Sequence, residues 1–162
     1  MHSQEQDKGN QLSECEAQTL SQFQLRVSFT DAEPASNLNQ LSPASLAYVG
    51  DAVYELYIRT YYLLPPRRMS DYHNQVVAKV RAESQAACLR LLEPHLTDAE
   101  RDVLRRGRNA ATGCPRRLSP ELYQQATSLE TLIGYLYLNN PQRLEQLLAQ
   151  LEFNPVLKVI IC

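Results

Sequence analysis

No apolar run in this chain reaches the ~18 residues that a bilayer-spanning helix needs. The amino terminus, Met1-His2-Ser3-Gln4-Glu5, has neither the basic stretch nor the apolar core of a secretory signal. The expectation is a chain without a membrane partner, cytoplasmic, or stromal if its source carries plastids. Cys15, Cys88, Cys114 and Cys162 never fall into Cys-x-x-Cys spacing, so neither a zinc site nor a disulfide framework is expected and all four read as reduced thiols. Alternating strand patterns are lacking as well. Glycine is scarce, five in 162 residues, so one inside an apolar run needs a structural reason.

What remains is a helical chain. With 44% hydrophobic residues, 162 residues can bury one core of ordinary size, and are too few for two domains. Residues 1–37, rich in Gln, Ser and Glu without a steady period, read as a disordered polar tail whose Gln22–Phe29 part docks. The domain spans 38–153, and an apolar extension covers 154–162, which either packs on it or forms a short strand. Ser42-Pro43 opens a first helix that runs to Leu64, where Pro65-Pro66 stops it. Ser70 caps a second helix reaching Leu92, with Val76, Val77, Val80, Ala87, Leu91 and Leu92 as its buried stripe. Thr97-Asp98-Ala99-Glu100 is a capping box for a third helix lasting to about Gly107. Ser119-Pro120 starts a fourth, through Glu130 to Leu138, and Asn140-Pro141 a last one ending near Phe153. The tyrosines, Tyr48, Tyr54, Tyr57, Tyr61, Tyr62, Tyr123, Tyr135 and Tyr137, have helical spacing that suits core and interface positions better than base stacking. His73 reads as a surface or capping residue rather than a general base.

Two segments carry chemistry. Leu46-Ala47-Tyr48-Val49-Gly50-Asp51-Ala52-Val53-Tyr54-Glu55 places Asp51 and Glu55 about 40° apart on one helix, where they repel unless a cation lies between them. Gly50 in mid-helix costs about 1 kcal/mol relative to Ala, which implies that another element or a ligand approaches its backbone closely. Far downstream, Thr127-Ser128-Leu129-Glu130-Thr131-Leu132-Ile133-Gly134 repeats the pattern of one acid in an apolar helix with a glycine four residues on. If the helices cross at their glycines, Asp51 and Glu130 converge, and one or two carboxylates suffice for magnesium. Spacing alone leaves a solvated acidic edge as the alternative.

Charge is also uneven. Residues 1–36 sum to −4, leaving +2 for the rest, and residues 67–117 hold eleven bases against six acids. Such a surplus implies binding to a polyanion that weakens steeply with salt. Lys79, Arg81, Arg105, Arg106, Arg108, Arg116 and Arg117 are the candidates for phosphate contacts, with a solvated helix face as the alternative for any one arginine. Gly107, Asn109 and Gly113 mark the region of Arg105–Arg108 as a loop whose backbone could approach a phosphate.

The first segment resembles the ribonuclease III signature, Glu-x-x-Glu-x-Leu-Gly-Asp-Ala, and the second resembles that family's Phe-Glu-Ala-Leu-Ile-Gly-x-Tyr-Leu helix. Between them, Arg105-Arg106-Gly107-Arg108-Asn109-Ala110 is similar to a stretch of the short Mini-III branch, which lacks a double-stranded-RNA-binding domain. The resemblance covers roughly residues 38–152, with the motifs in the expected order. It implies an all-α endonuclease domain, a homodimeric helical bundle, that cuts double-stranded RNA with magnesium to leave 5′-phosphate and 3′-hydroxyl ends. It further implies Asp51 and Glu130 as metal ligands, with Glu55 a weaker candidate. Precursor 23S ribosomal RNA is the implied substrate, presented on an assembling particle or by a large-subunit ribosomal protein. Ala44, Ala47 and Thr127 stand where longer members carry acids, and Ala47 and Thr127 fit the short branch. The number of metal ions per site is left open. The alternatives are an inactive RNA-binding or ribosome-associated relative, against which both retained acids count, and a helical dimerisation module, against which the arginines count.

Overall fold

The computed structural model describes residues 38 and 40–152, so the tail, its Gln22–Phe29 segment, the extension 154–162, Cys15 and Cys162 lie outside the described residues. Among the described residues six α-helices follow one another: α1 (Pro43–Tyr61), α2 (Met69–Val80), α3 (Ala82–Leu92), α4 (Asp98–Ala110), α5 (Pro120–Asn139) and α6 (Pro141–Glu152). A single 3₁₀ turn, Glu93–His95, links α3 to α4, and no strand occurs among the described residues. The all-α expectation holds. No helix of the described residues is long and apolar enough to cross a membrane.

Local signals set most of the helix starts. Ser42 Oγ accepts from the Ser45 N–H at 3.0 Å and Pro43 takes the first helical position, where its missing N–H costs nothing. Ser119 and Pro120 do the same for α5. At α4 the capping box closes in both directions, with Thr97 N–H donating to Glu100 Oε2 at 2.8 Å and Glu100 N–H to Thr97 Oγ1 at 3.3 Å. Glu100 is buried. Its carboxylate also receives the Arg143 guanidinium at 2.8 Å, and Arg143 donates to the His95 carbonyl, which ties α6 to the start of α4.

The centre of the domain is α5, which packs on α1, α3, α4 and α6. Leu129, Leu132, Ile133 and Leu136 of α5 meet Tyr54 and Ile58 of α1, Leu89 and Leu92 of α3, and Leu147 and Leu148 of α6 in one apolar core. Tyr54 is fully buried, with its hydroxyl 3.4 Å from Cys88 Sγ and donating to the Lys79 carbonyl at 3.5 Å. Burial accordingly pushes both the Tyr54 phenol and the Cys88 thiol up. Tyr48, 82% exposed in this chain, stands outside the core.

Three expectations need correction. The first helix ends at Tyr61, three residues before Leu64, and the second starts at Met69 with Arg68 as its cap, so Ser70 lies inside it. More consequentially, the second helix is two helices. Arg81 adopts an extended conformation (φ −67°, ψ 153°), ending α2 and beginning α3. Nothing in the sequence breaks a helix there. The break resets the register, so Val77 is exposed while Ser84, Gln85, Ala86, Cys88 and Leu89 turn inward. Ser84 Oγ donates to the Ala78 carbonyl at 2.6 Å, satisfying one of the acceptors freed at the end of α2.

The third correction concerns the arginines. The segment Arg105–Ala110 is helical to its end, and the loop begins only at Ala111. Gly107 is buried because a Cβ there would stand 2.5 Å from Thr131 Oγ1. It serves the close packing of α4 on α5 rather than a phosphate. A glycine within a charged run looks the same in sequence whichever it serves.

Candidate active site

The two glycines that flank the candidate acids are where α1 and α5 touch. A Cβ on Gly50 would lie 1.8 Å from the Glu130 carbonyl oxygen, and one on Gly134 would lie 2.0 Å from the Leu46 carbonyl oxygen. Contact of this kind is open only to glycine, since any side chain would have to displace main chain. The pairing is reciprocal. The helices therefore cross with both acids at the same contact, Asp51 next to Gly50 in sequence and Glu130 supplying the carbonyl that Gly50 meets, as the glycine spacing predicts. Ala47, standing where longer relatives of the resembled signature carry an acid, is buried on α1, so a carboxylate there would also have to be buried.

Polarity falls from solvent inward across the crossing. Asp51 is exposed, Glu130 half-buried, and Gln85 of α3 only 2% exposed. Burial, joined by the negative charge of Asp51, pushes the Glu130 carboxyl up to about 7, and a side-chain hydrogen bond from Gln85 opposes that rise. Asp51 is itself held above the ordinary carboxylate range by burial and by the charge of Glu55. Two carboxyls that each resist ionisation, one because of the other, form a site that a cation would relieve.

Glu55 is near enough to act on Asp51, but its carboxylate is taken by Arg59 at 2.6 Å, so the structure does not bring it to Glu130 as it does Asp51. Among the described residues no group of three or more His, Cys, Asp or Glu side chains could hold a metal ion together. The carboxylates that the crossing brings near each other are Asp51 and Glu130. That fits magnesium, a hard cation that usually takes one or two carboxylates and keeps several waters, and it does not fit zinc, which prefers nitrogen and sulfur.

The basic candidates fall into three groups. Lys79 sits at the end of α2 with its ammonium 5.7 Å from the centre of the Tyr62 ring, and Arg81 occupies the break, one turn before Gln85. Arg105, Arg106 and Arg108 ride on the last turns of α4, where Arg105 is shared with Asp102 at 3.1 Å. Arg116 and Arg117 are exposed in the loop between α4 and α5. Among the described residues Arg106, Arg108, Arg116 and Arg117 make no ion pair. Because Gly107 packs on Ser128 and Thr131, Arg106 and Arg108 flank the contact made with the α5 segment that bears Glu130. His73 is exposed on α2.

Sequence reasoning missed Gln85. A glutamine in an apolar stripe gives no signal of its own, and the break at Arg81, which turns it inward, was unforeseen.

The chain is similar to known proteins over most of its length. Residues 44–141 match the family model of the ribonuclease III domain, a stretch that contains Asp51, Gln85 and Glu130. The Mini-ribonuclease 3 of a Synechocystis species is 59% identical over 118 residues, covering 73% of this chain and 82% of the relative. The Mini-ribonuclease 3 of Symbiobacterium thermophilum is 44% identical over 111 residues, covering 67% and 85%. A crystal structure of a protein from Fusobacterium nucleatum superposes with a TM-score of 0.63 at 30% identity, covering 67% of this chain and 90% of that one.

Proposed function

The chain belongs to the ribonuclease III family and is an endoribonuclease similar over most of its length to Mini-ribonuclease 3 proteins, and from that premise we propose that it cleaves double-stranded RNA with magnesium held by Asp51 and Glu130. The family is generally dependent on divalent metal and acts on double-stranded RNA. The observation that carries the reading is the glycine crossing, with Glu130 pushed up to about 7 beside Asp51. A bound magnesium ion supplies Lewis acidity and lowers the pKa of water, so that no protein nucleophile is required. The protein's own part is to hold two carboxylates at a fixed separation and to position the duplex. Glu130, screened from bulk water, presents a charge that a cation meets at full strength. Asp51, exposed, faces the side from which RNA arrives. Arg106, Arg108, Arg116 and Arg117, which make no ion pair among the described residues, bind phosphates, and Lys79, Arg81 and Arg105 extend that surface. Hydrolysis then leaves 5′-phosphate and 3′-hydroxyl ends.

Recognition through phosphates and 2′-hydroxyls gives little sequence preference. Selection of the RNA then comes from its presentation, and we assign the chain to maturing the ends of precursor 23S ribosomal RNA in the cytoplasm or plastid stroma, on an assembling large subunit or with one of its proteins. A second copy of the chain completes the enzyme. Tyr48, Ala52 and Leu56, spaced by four along α1 and all exposed, supply an apolar ridge beside Asp51 for that contact.

The test is cleavage of a long duplex RNA at low salt, with and without chelator, by wild type, Asp51→Asn and Glu130→Gln. Metal-dependent cutting by wild type and binding without cutting by both variants is the expected result. A wild type that binds duplex yet never cuts it, or either variant cutting at the wild-type rate, would overturn the proposal.

A further inference from the structure

We propose that Gly107 is a positioning residue: the side chain it lacks sets how near α4 comes to α5, and with that where Arg106 and Arg108 hold a duplex relative to Asp51 and Glu130. The inference rests on the reading of those arginines as phosphate contacts and of the two acids as the cleaving pair.

Three observations lead there. Gly107 lies inside α4, and among the described glycines only Gly113 (φ 75°) takes the left-handed conformation. Glycine is a poorer helix former than any residue but proline, so an ordinary helical position gains nothing from it. Close approach is what calls for it here. A Cβ at 107 would stand 2.5 Å from Thr131 Oγ1, 2.7 Å from Thr131 Cβ and 3.2 Å from Ser128 Cα, whereas carbon atoms in contact keep about 3.5–4.0 Å apart.

The second observation is that Thr131 cannot give way. It is fully buried, and its hydroxyl donates to the Thr127 carbonyl at 2.7 Å and to the Pro43 carbonyl at 3.4 Å, so one side chain ties α5 to the first residue of α1 while α4 rests on it. Its Cβ is fixed by the α5 main chain. Gly107→Ala must therefore push α4 away as a body, by roughly 1 Å. The third is what shares the contact. Ser128 and Thr131 lie on either side of Glu130 in sequence, and the Glu130 carbonyl is itself pressed on Gly50. The same turns of α5 are thus gripped by α1 through Gly50 and Gly134 and by α4 through Gly107. On α4, Arg106 and Arg108 project about 100° to either side of Gly107. The helix that carries them is registered against the crossing by main-chain and Cβ atoms.

A misplacement of about 1 Å, caused far from the chemistry, can lower a rate about 100-fold. Affinity is less sensitive, because attraction between arginines and phosphates acts over about 10 Å. A shift of α4 is therefore read in kcat.

The experiment is steady-state cleavage of duplex RNA with magnesium by the full-length chain, well below each melting midpoint, for wild type, Gly107→Ala and Gly107→Ala/Thr131→Gly. The double variant moves the glycine from α4 to α5, which makes room for the new Cβ but costs α5 a hydroxyl and helix propensity. Gly107→Ala is expected to lower kcat at least tenfold with KM within threefold of wild type. The double variant is expected to be at least threefold faster than the single one without melting higher. Recovery of rate without recovery of stability is what a packing role alone would not produce. Thr131→Ala, which cuts the tie to Pro43, serves if Gly107→Ala does not fold, and should lower kcat several-fold at constant KM. A kcat within twofold of wild type in the variant that folds, a change confined to KM, or a double variant no faster than the single overturns the inference. The salt dependence of duplex binding keeps the two readings apart. An unchanged slope in both Arg106→Gln and Arg108→Gln overturns the phosphate reading and the inference with it, whereas a reduced slope beside an unaffected kcat in Gly107→Ala overturns the inference alone.

Discussion

Replacing Glu130 by Gln should stabilise the metal-free protein at alkaline pH. The folded-state carboxyl titrates at about 7 against an ordinary 4.5. A raised value means that folding favours the protonated form. The stabilising contribution is complete below about 4.5, is lost as pH rises through 7, and leaves the ionised carboxylate a net burden above it. The difference of about 2.5 pH units at 1.36 kcal/mol each is about 3 kcal/mol. For a domain of this size that is on the order of 10 °C in melting temperature. Glutamine removes the charge but keeps an oxygen able to accept from Gln85. Thermal denaturation in chelator at pH 5 and pH 8 reads the effect: the two proteins should melt within a few degrees of each other at pH 5, and the variant about 10 °C higher at pH 8. Adding Mg²⁺ at pH 8 should raise the wild type alone, since only it gains a ligand bound to the native state. Coincident melting curves at pH 8 would refute the claim that Glu130 is a buried charge awaiting a counter-ion.

Gly50→Ala should destabilise the domain by about 3 kcal/mol or more and abolish cleavage, although alanine is the better helix former, because its Cβ meets main chain at 1.8 Å; chemical denaturation and the duplex assay check both. Arg143→Met should cost about 2–3 kcal/mol by leaving the buried Glu100 without its partner. Because Arg143 holds the Glu100 carboxyl below its ordinary value, the stability it confers is present above about 4.5 and is lost as pH falls further, so wild type and variant should converge in acid denaturation. Changing Arg106, Arg108, Arg116 or Arg117 to Gln should lower duplex affinity and reduce the slope of log affinity against log salt by about 1 for each phosphate contact removed, with melting temperatures unchanged. An unchanged slope in all four would remove this surface from the RNA path.

What was legible in the sequence was local or self-complementary. Ser42-Pro43, Thr97 with Glu100, and Ser119-Pro120 announce helix starts because the capping groups lie within four residues of one another. The crossing of α1 and α5 was legible because each helix carries the glycine that the other requires. The break at Arg81 was not, because no residue there disfavours a helix; the inward turn of α3 onto α5 is satisfied only in the assembled domain. Gly107 was misread because a turn and a close helix approach ask for the same residue. Gln85 was invisible for a related reason: a buried amide and an exposed one have the same letter, and only the burial of Glu130 tells them apart.

Gly50 and Gly134 leave the distance between α1 and α5 to peptide groups alone. Peptide groups do not mutate. The leucines around the crossing can be exchanged for other apolar residues through evolution, or be rebuilt by an engineer, and the spacing of Asp51 and Glu130 will not drift with them. A domain of this design can therefore be diversified across most of its interior for heat tolerance or solubility without re-optimising the chemistry.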